Sequence, residues 1–143
     1  MSNLEKAIEI ASKAHAGQLD KGGEPYILHP LRVMLRMKTN LERMVAVLHD
    51  VVEDSDITID KLAEEGFPAQ VLEAVAALTK LPGESRLQAA ERAAHSPIAR
   101  AVKLADNAEN MDLTRIPNPT EKDIARLREY ETVREILLAD NKA

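Results

Sequence analysis

The sequence predicts an all-α fold, a compact helical domain of about seven or eight helices over residues 1–143. Three observations carry that reading. Ala, Leu, Glu, Arg and Lys dominate, and these residues favour helix. Apolar residues recur at three- and four-residue spacing, and no useful length alternates with period two, so no sheet is expected. Gly, Pro, Ser and Thr stand between the periodic segments, where they cap and break helices.

The elements follow in order. Asn3 or Ser2 caps a helix over 3–16 in which Leu4, Ile8, Ala11 and His15 share a face, and Gly17 ends it. "GQLDKGGEPY" (17–26) is a loop by composition. A second helix, 29–39, carries Pro30 in its first turn. A third runs from Leu41 to Val52, and Thr58 caps a short fourth that Gly66 stops. Pro68 opens the next, through Lys80, and "LPGES" separates it from 84–95. Ser96-Pro97 starts a long apolar helix, 98–113, which "RIPNPT" terminates. Thr120 begins the last, "EKDIARLREYETVREILLAD", whose charges at i, i+4 read as a solvated face. No repeat and no linker divides the chain, so one domain is expected.

Composition limits the function. With 45% hydrophobic residues in 143, the chain can bury a sizeable core. Aromatics are scarce at 2%, so aliphatic residues fill it, with Met34, Met37 and Met44 among them. There is no cysteine, which excludes disulfides and thiolate metal sites; a metal here must use nitrogen and oxygen ligands. The net charge of −5 argues against nucleic acid as a partner. No apolar run approaches the ~18 residues a membrane helix needs, and Glu5 and Glu9 interrupt the N-terminus where a signal peptide must be apolar. A soluble, cytoplasmic protein with no membrane association is expected.

One stretch conflicts with its own pattern. In "MVAVLHDVVEDSDIT" (Met44–Thr58) the apolar residues suit a buried helix, yet His49 and Asp50 sit in its middle, followed by Glu53 and Asp54. On a continuous helix neighbours lie about 100° apart, and Glu53 is one turn beyond both, so the four share roughly one stripe. The plain alternative is a helix end with solvated carboxylates. Two further positions bear on the choice. His29 opens a helix after the glycine-rich loop, and Asp106 lies in the apolar run "AVKLADNAEN". A buried lone Asp is costly unless it is paired or bound to a cation. A surface ion pair with Lys103 or Arg100 is the alternative for Asp106. Two His and two Asp suit Mn²⁺, Fe²⁺, Zn²⁺, Co²⁺ or Ni²⁺, and a metal so held supplies hydroxide from water near neutral pH. Glu53 and Asp54 are placed to orient that water and handle protons. His15 reads as a structural core residue, and His95 as a helix-end residue.

The pattern His29, His49-Asp50, Asp106 resembles the HD superfamily of metal-dependent phosphohydrolases. It is most similar to the hydrolase domain of RelA/SpoT-type enzymes and the stand-alone small alarmone hydrolases. "AHAGQLDKGGEPYILHP" (14–30), "AVLHDVVEDSDIT" (46–58), "LTK" (78–80) and "VKLADNAENM" (102–111) carry the likeness, in the family order. The resemblance implies one divalent ion, usually Mn²⁺, on His29, His49, Asp50 and Asp106. It implies water activation by Glu53 and Asp54, with hydroxide on the metal attacking a phosphate ester. The implied reaction removes pyrophosphate from the 3′ position of guanosine tetra- or pentaphosphate. Asn110, Thr79 and Lys80 match family positions near the nucleotide, and Lys21 lies in the loop that holds base and ribose. No synthetase segment follows, so hydrolysis alone is expected.

Four positions depart from the family pattern. Asp20 stands where bifunctional members carry an arginine; Asn107, Glu109 and Asp112 replace an arginine, a histidine and a basic residue. These leave the metal ligands untouched and bear on the substrate. Three functions are therefore expected in order: a phosphohydrolase of a phosphorylated nucleotide, led by guanosine 3′-pyrophosphates; a nucleoside monophosphatase or other phosphoesterase; and a nucleotide-binding module with weak turnover. Assembly into a homo-oligomer is left open by the sequence.

Overall fold

The computed structural model describes residues 3–139. Its elements are α1 (Leu4–Ala14), α2 (Leu28–Leu35), α3 (Asn40–Leu48), α4 (Val51–Asp54), α5 (Ile59–Glu64), α6 (Ala69–Leu78), α7 (Arg86–Ala93), α8 (Pro97–Asn110) and α9 (Glu121–Leu138), with a 3-10 turn at Leu113–Arg115. Among the described residues there are eight helices of six residues or more, in line with the seven or eight the sequence predicts, and α4 is an added single turn. Among the described residues the only β feature is an isolated bridge between Leu19 and Pro25.

Helix starts follow capping chemistry. Asn3, Thr39, Thr58, Ser85, Ser96 and Thr120 each accept a hydrogen bond from a backbone N–H of the first turn. At Thr39, Ser85 and Thr120 the third helical residue answers reciprocally, which completes a capping box. Each such cap is worth about 1 kcal/mol.

The core is built around α3. Met44, Val45, Ala46, Val47 and Leu48 are buried in succession, so this helix is covered on every side, by α1, α2, α6 and α8. Ala7, Ala11, Val33, Val71, Val75 and Val102 fill the space around it. A second cluster, Ala90, Ala94, Val133 and Leu137, joins α7 to α9. Burying a side chain such as Leu48 or Leu137 contributes about 1.5–3 kcal/mol.

The Leu41–Val52 segment differs from its expected continuous helix. It is divided at His49 and Asp50, which cap α3 and α4 respectively. In an uninterrupted helix the Ala46 carbonyl accepts from the N–H four residues on, that of Asp50. Here His49 Nδ1 lies 2.5 Å from that carbonyl oxygen and takes the bond. The ring thus competes with the backbone where the ladder stops. Asp50 is thereby carried on a helix start rather than on a helix flank.

The 17–26 loop is ordered by its own backbone. Tyr26 N–H donates to Gln18 C=O and Asp20 N–H to Glu24 C=O, both at 2.8 Å. The turn between them needs a left-handed residue, which Gly23 supplies at φ 84°. This small hairpin delivers Tyr26 and, one turn on, His29 to the interior.

Candidate metal centre

His29 comes from the first turn of α2, His49 and Asp50 from the α3–α4 break, and Asp106 from the third turn of α8. His29, His49 and Asp106 are 4%, 3% and 5% exposed. Each of the four residues offers one ligand atom, and these atoms lie within 4.8 Å of one another. Asp106 Oδ1 is 2.7 Å from His29 Nε2 and 3.3 Å from His49 Nε2, and Asp50 Oδ2 is 3.1 Å from His49 Nε2. With its Nδ1–H given to Ala46, the His49 ring turns Nε2 toward the carboxylates of Asp50 and Asp106. A proton on Nε2 satisfies those contacts, and a divalent cation can take that proton's place among two imidazoles and two carboxylates, so the residues fit a divalent metal.

The electrostatics point the same way. Burial alone would lower the His49 pKa, but Asp50 and then Asp106 raise it well above the usual imidazole value. Burial would raise Asp106; Lys103, then His49 and His29, hold it well below the carboxylate range. For Asp50, burial is outweighed mainly by His49, and its pKa is lowered. A cluster that keeps its carboxylates ionised while buried is ready for a positive ion.

Outer groups fix the ligands. Tyr26 Oη–H donates to Asp50 Oδ2 at 2.5 Å, and burial, then Asp50, raises the phenol pKa. Lys103 Nζ donates to Asp106 Oδ2 at 3.1 Å and Asn110 Nδ2 to Asp106 Oδ1 at 3.3 Å. The ion pair with Lys103 expected of a surface stripe therefore forms, but on a buried Asp106. Arg100 is used elsewhere, donating to the Leu137 carbonyl. His15 is buried beside this shell, with its ring 5.0 Å from Tyr26 and Nδ1 3.0 Å from Gln18 Oε1. His95 is exposed beyond the end of α7.

Two cavities of about 290 and 280 Å³ adjoin here and share Tyr26, His29, Asn110 and Tyr130. The four candidate ligands do not divide equally between them. His49, Asp50 and Asp106 face only the second, together with Glu53, Lys80, Arg86 and Lys103. The first is lined by Leu19, Asp20, Lys21, Leu113, Ile116, Asp123 and Arg126. Glu53 Oε1 accepts from the Lys80 N–H at 2.5 Å. Asp54 lines neither cavity; partial burial, then Asp50, raises its pKa. Lys21 pairs with Asp123 at 3.1 Å across the first cavity. Thr79 faces neither, and its hydroxyl donates to Val75 C=O at 2.8 Å.

The four departures from the family pattern are occupied by the fold. Asp20 Oδ1 accepts from Gly22 N–H at 2.8 Å and Glu24 N–H at 3.0 Å, which braces the hairpin. Buried Asn107 donates to Tyr130 C=O at 2.9 Å and ties α8 to α9. Glu109 pairs with Arg36 at 2.6 Å, and Asp112 caps the 3-10 turn. Of the four, only Asp20 lines a cavity.

Sequence reasoning missed Tyr26, Arg86, Arg126 and Tyr130 as lining groups, and it considered Lys103 only as an ion-pair partner. The last helix does present a solvated face, with Lys122, Arg128, Glu129 and Glu135 exposed. Its other face, which the sequence reading did not describe, buries Asp123, Val133 and Leu137 and brings Arg126 and Tyr130 to the cavities. A usable signal was present. The chain has two tyrosines, and both line both cavities; in an aliphatic protein a Tyr marks a place where a polar tip is needed.

Comparisons with known proteins bear on the family and the fold. A family model described as an HD domain matches residues 7–105. The mouse protein named guanosine-3′,5′-bis(diphosphate) 3′-pyrophosphohydrolase MESH1 is 39% identical over 90% of this chain and 79% of its own length. The Vibrio cholerae protein named guanosine-3′,5′-bis(diphosphate) 3′-pyrophosphohydrolase is 37% identical over 76% of this chain. A Mycobacterium leprae protein named "Probable GTP pyrophosphokinase" is 34% identical over 90% of this chain. The chain spans 17% and 18% of the lengths of those two bacterial relatives. A solved structure, described as a metazoan ortholog of SpoT that hydrolyses ppGpp, superposes with TM-score 0.80 at 24% identity over 99% of this chain and 89% of that one, which speaks for the fold. No helix among the described residues is long and apolar enough to cross a membrane.

Proposed function

We propose that this chain, which belongs to the HD domain family, is a metal-dependent phosphohydrolase of a nucleotide that removes the 3′-diphosphate of guanosine 3′,5′-bis(diphosphate). The observation that carries the reading is the set of buried His29, His49 and Asp106 with half-buried Asp50, opening into a cavity that Glu53 also lines. The activity by which the mouse and Vibrio relatives are named supports the substrate.

His29, His49, Asp50 and Asp106 would hold one divalent ion, with Mn²⁺ the assignment the family resemblance favours. Bound there, such an ion polarises a phosphoryl oxygen and lowers the pKa of a coordinated water. The protein's own groups do the rest. Tyr26 and Lys103 hold Asp50 and Asp106 in place. Glu53 is anchored through Oε1, so Oε2 is available to accept the proton of the attacking water. Asp54, with its raised pKa, assists from behind the ligand Asp50. Water attacks the 3′ phosphorus as Glu53 takes its proton, the ester P–O bond breaks, and the 3′ oxygen takes a proton from solvent to leave as a hydroxyl, which releases pyrophosphate. Asn110, shared by both cavities, and Lys21 suit the nucleoside part; Lys80 suits phosphate. Thr79 acts on that site through the backbone that carries Lys80. The whole reading treats residues 1–143 as one catalytic domain acting in the cytoplasm on a small molecule.

A second reading keeps the chemistry and changes the nucleotide. Asp20 favours it, since a loop-bracing carboxylate supplies no cation at a position where bifunctional relatives resemble one another in carrying arginine. A manganese-supplemented assay over guanosine tetraphosphate, NADPH and ordinary mononucleotides, with products identified, decides between them. Pyrophosphate release from the tetraphosphate is expected, falling about 10²–10⁴-fold in Glu53→Gln with metal binding kept. Absence of metal-dependent phosphate or pyrophosphate release across the panel defeats both readings.

A further inference from the structure

We propose that Arg86, assisted by Lys80, forms a subsite for the outer phosphate of a diphosphate-bearing substrate, and so selects diphosphate esters over monophosphate esters. This rests on the phosphohydrolase reading for its context and deepens it.

Charge within the metal-side cavity requires additional cations once substrate arrives. Its lining holds three carboxylates, Asp50, Glu53 and Asp106. A divalent ion together with the Lys103 ammonium balances them, and Lys103 is committed to Asp106 at 3.1 Å. An entering diphosphate ester carries roughly two to three negative charges near neutral pH, and inorganic phosphate chemistry demands matching donors for them. Lys80 and Arg86 are the cations on this lining not tied to a metal-ligand carboxylate.

Arg86 is positioned for that task. It stands at the start of α7, and its guanidinium lies 5.0 Å from the centroid of the Tyr130 ring. Tyr130 borders both cavities, whereas Arg86 borders only the metal side. The ring therefore acts as a platform that orients the guanidinium on the phosphate side. A second restraint is the ion pair between Arg86 Nε and Glu129 Oε1 at 3.0 Å. Both side chains there are substantially exposed, at 36% and 45%, so the pair is weak and leaves the terminal nitrogens for a phosphate. A planar fork of this kind suits two phosphate oxygens at once.

Lys80 approaches from the α6–α7 connection. Its backbone N–H already anchors Glu53, so the same residue ties the proton acceptor to the subsite. The connection is held in shape by Arg92, which donates to Glu84 and to the carbonyls of Ala76 and Thr79. Arg126 offers the contrast. It lines only the other cavity, so it carries equal charge without a place on the phosphate side.

The test is calorimetric titration of Mn²⁺-loaded protein with inorganic pyrophosphate and with orthophosphate, at a fixed, buffered free Mn²⁺. Arg86→Gln is expected to weaken pyrophosphate binding about tenfold while shifting orthophosphate by less than about threefold. Arg86→Lys is expected to recover part of the loss, and it carries the test should the glutamine variant fold poorly. Arg126→Gln is expected to change pyrophosphate affinity by less than about twofold, because screening weakens charge acting from the other cavity. Failure of the wild type to bind pyrophosphate, no effect of either Arg86 variant, or equal losses in the Arg86→Gln and Arg126→Gln proteins overturns the subsite. Binding is read without turnover, so an Arg86-dependent pyrophosphate site in a protein that cleaves no nucleotide sinks the function and keeps the subsite. Nucleotide cleavage with an unchanged KM in Arg86→Gln does the reverse.

Discussion

The two adjoining cavities are built on opposite principles. On the metal side, His29, His49 and Asp106 are all at most 5% exposed, and each is fixed by at least one further polar group. On the other side, Leu19 is 67% exposed and the Lys21 side chain 53%, and the walls are a surface hairpin and the first turns of α9. A substitution in the first region leaves a buried charge without its partner, which is expensive. In the second region it leaves a solvated residue with a new neighbour, which costs little. That difference accounts for Asp20, which braces its own exposed loop at little cost. Of the other departures, Asn107 is buried but hydrogen-bonded to the Tyr130 carbonyl, and Glu109 and Asp112 line neither cavity.

The largest effect expected from breaking this contrast is at Asp106. Replacing it with alanine strands Lys103, His29 and His49 in the interior, and a loss of about 3–5 kcal/mol is expected in denaturant unfolding. Metal binding, followed by calorimetry or Mn²⁺ spectroscopy, is expected to disappear with it. Tyr26→Phe removes only the donor to Asp50 and keeps the ring beside His15 and His29. A decrease of about 10–100-fold in metal affinity is expected, with little change in melting temperature. An unaltered affinity there shows that Tyr26 does not hold the ligand.

Smaller changes belong to the exposed side. Lys21→Gln breaks the pair with Asp123 and is expected to cost less than about 1 kcal/mol of stability, since the lysine is half in solvent. Its effect should fall instead on the KM for nucleotide. A stability loss as large as that of Asp106→Ala would erase the distinction between the two regions.

The smallest expected effect is a pH signature at the α6–α7 connection. The hydrogen bond from Arg92 and then the Leu81 N–H hold the Glu84 carboxyl down from 4.5 to about 2. A depressed folded-state pKa stabilises above the unfolded value, and the benefit is lost as pH falls through the folded one. The melting-temperature gap between wild type and Glu84→Gln is therefore expected to be full above pH 4.5 and to close toward pH 2. A gap that stays constant over that interval rules out the titration of Glu84 as its source.

The legibility of the site followed the same division. His29, His49, Asp50 and Asp106 could be read from the sequence because polar residues inside apolar runs are conspicuous, and all four meet in space. The geometric reasoning about His49 and Asp50 nonetheless assumed a continuous helix. The break at His49 and Asp50 was invisible, since it depends on the His49 ring reaching the Ala46 carbonyl. Arg126 and Tyr130 lie in a helix read for its solvated face, and Arg86 in a segment with no distinguishing pattern; a charged side chain there has no sequence signature of facing inward. Thr79 matched a family position and is turned to its own helix backbone.

By itself the sequence determined the all-α class, almost every helix start and the identity of the buried polar residues. Those are local matters: periodicity, capping oxygens and the cost of a carboxylate among valines act over a few residues. Tertiary structure alone decided which polar groups share one space, that the cleft has one side lined by His49, Asp50 and Asp106 and a second side without them, and that both tyrosines stand between the two. Such facts depend on packing among α2, α3, α8 and α9, with separations as large as the 77 residues between His29 and Asp106. No local rule spans that distance; only the closing of the core brings the two together.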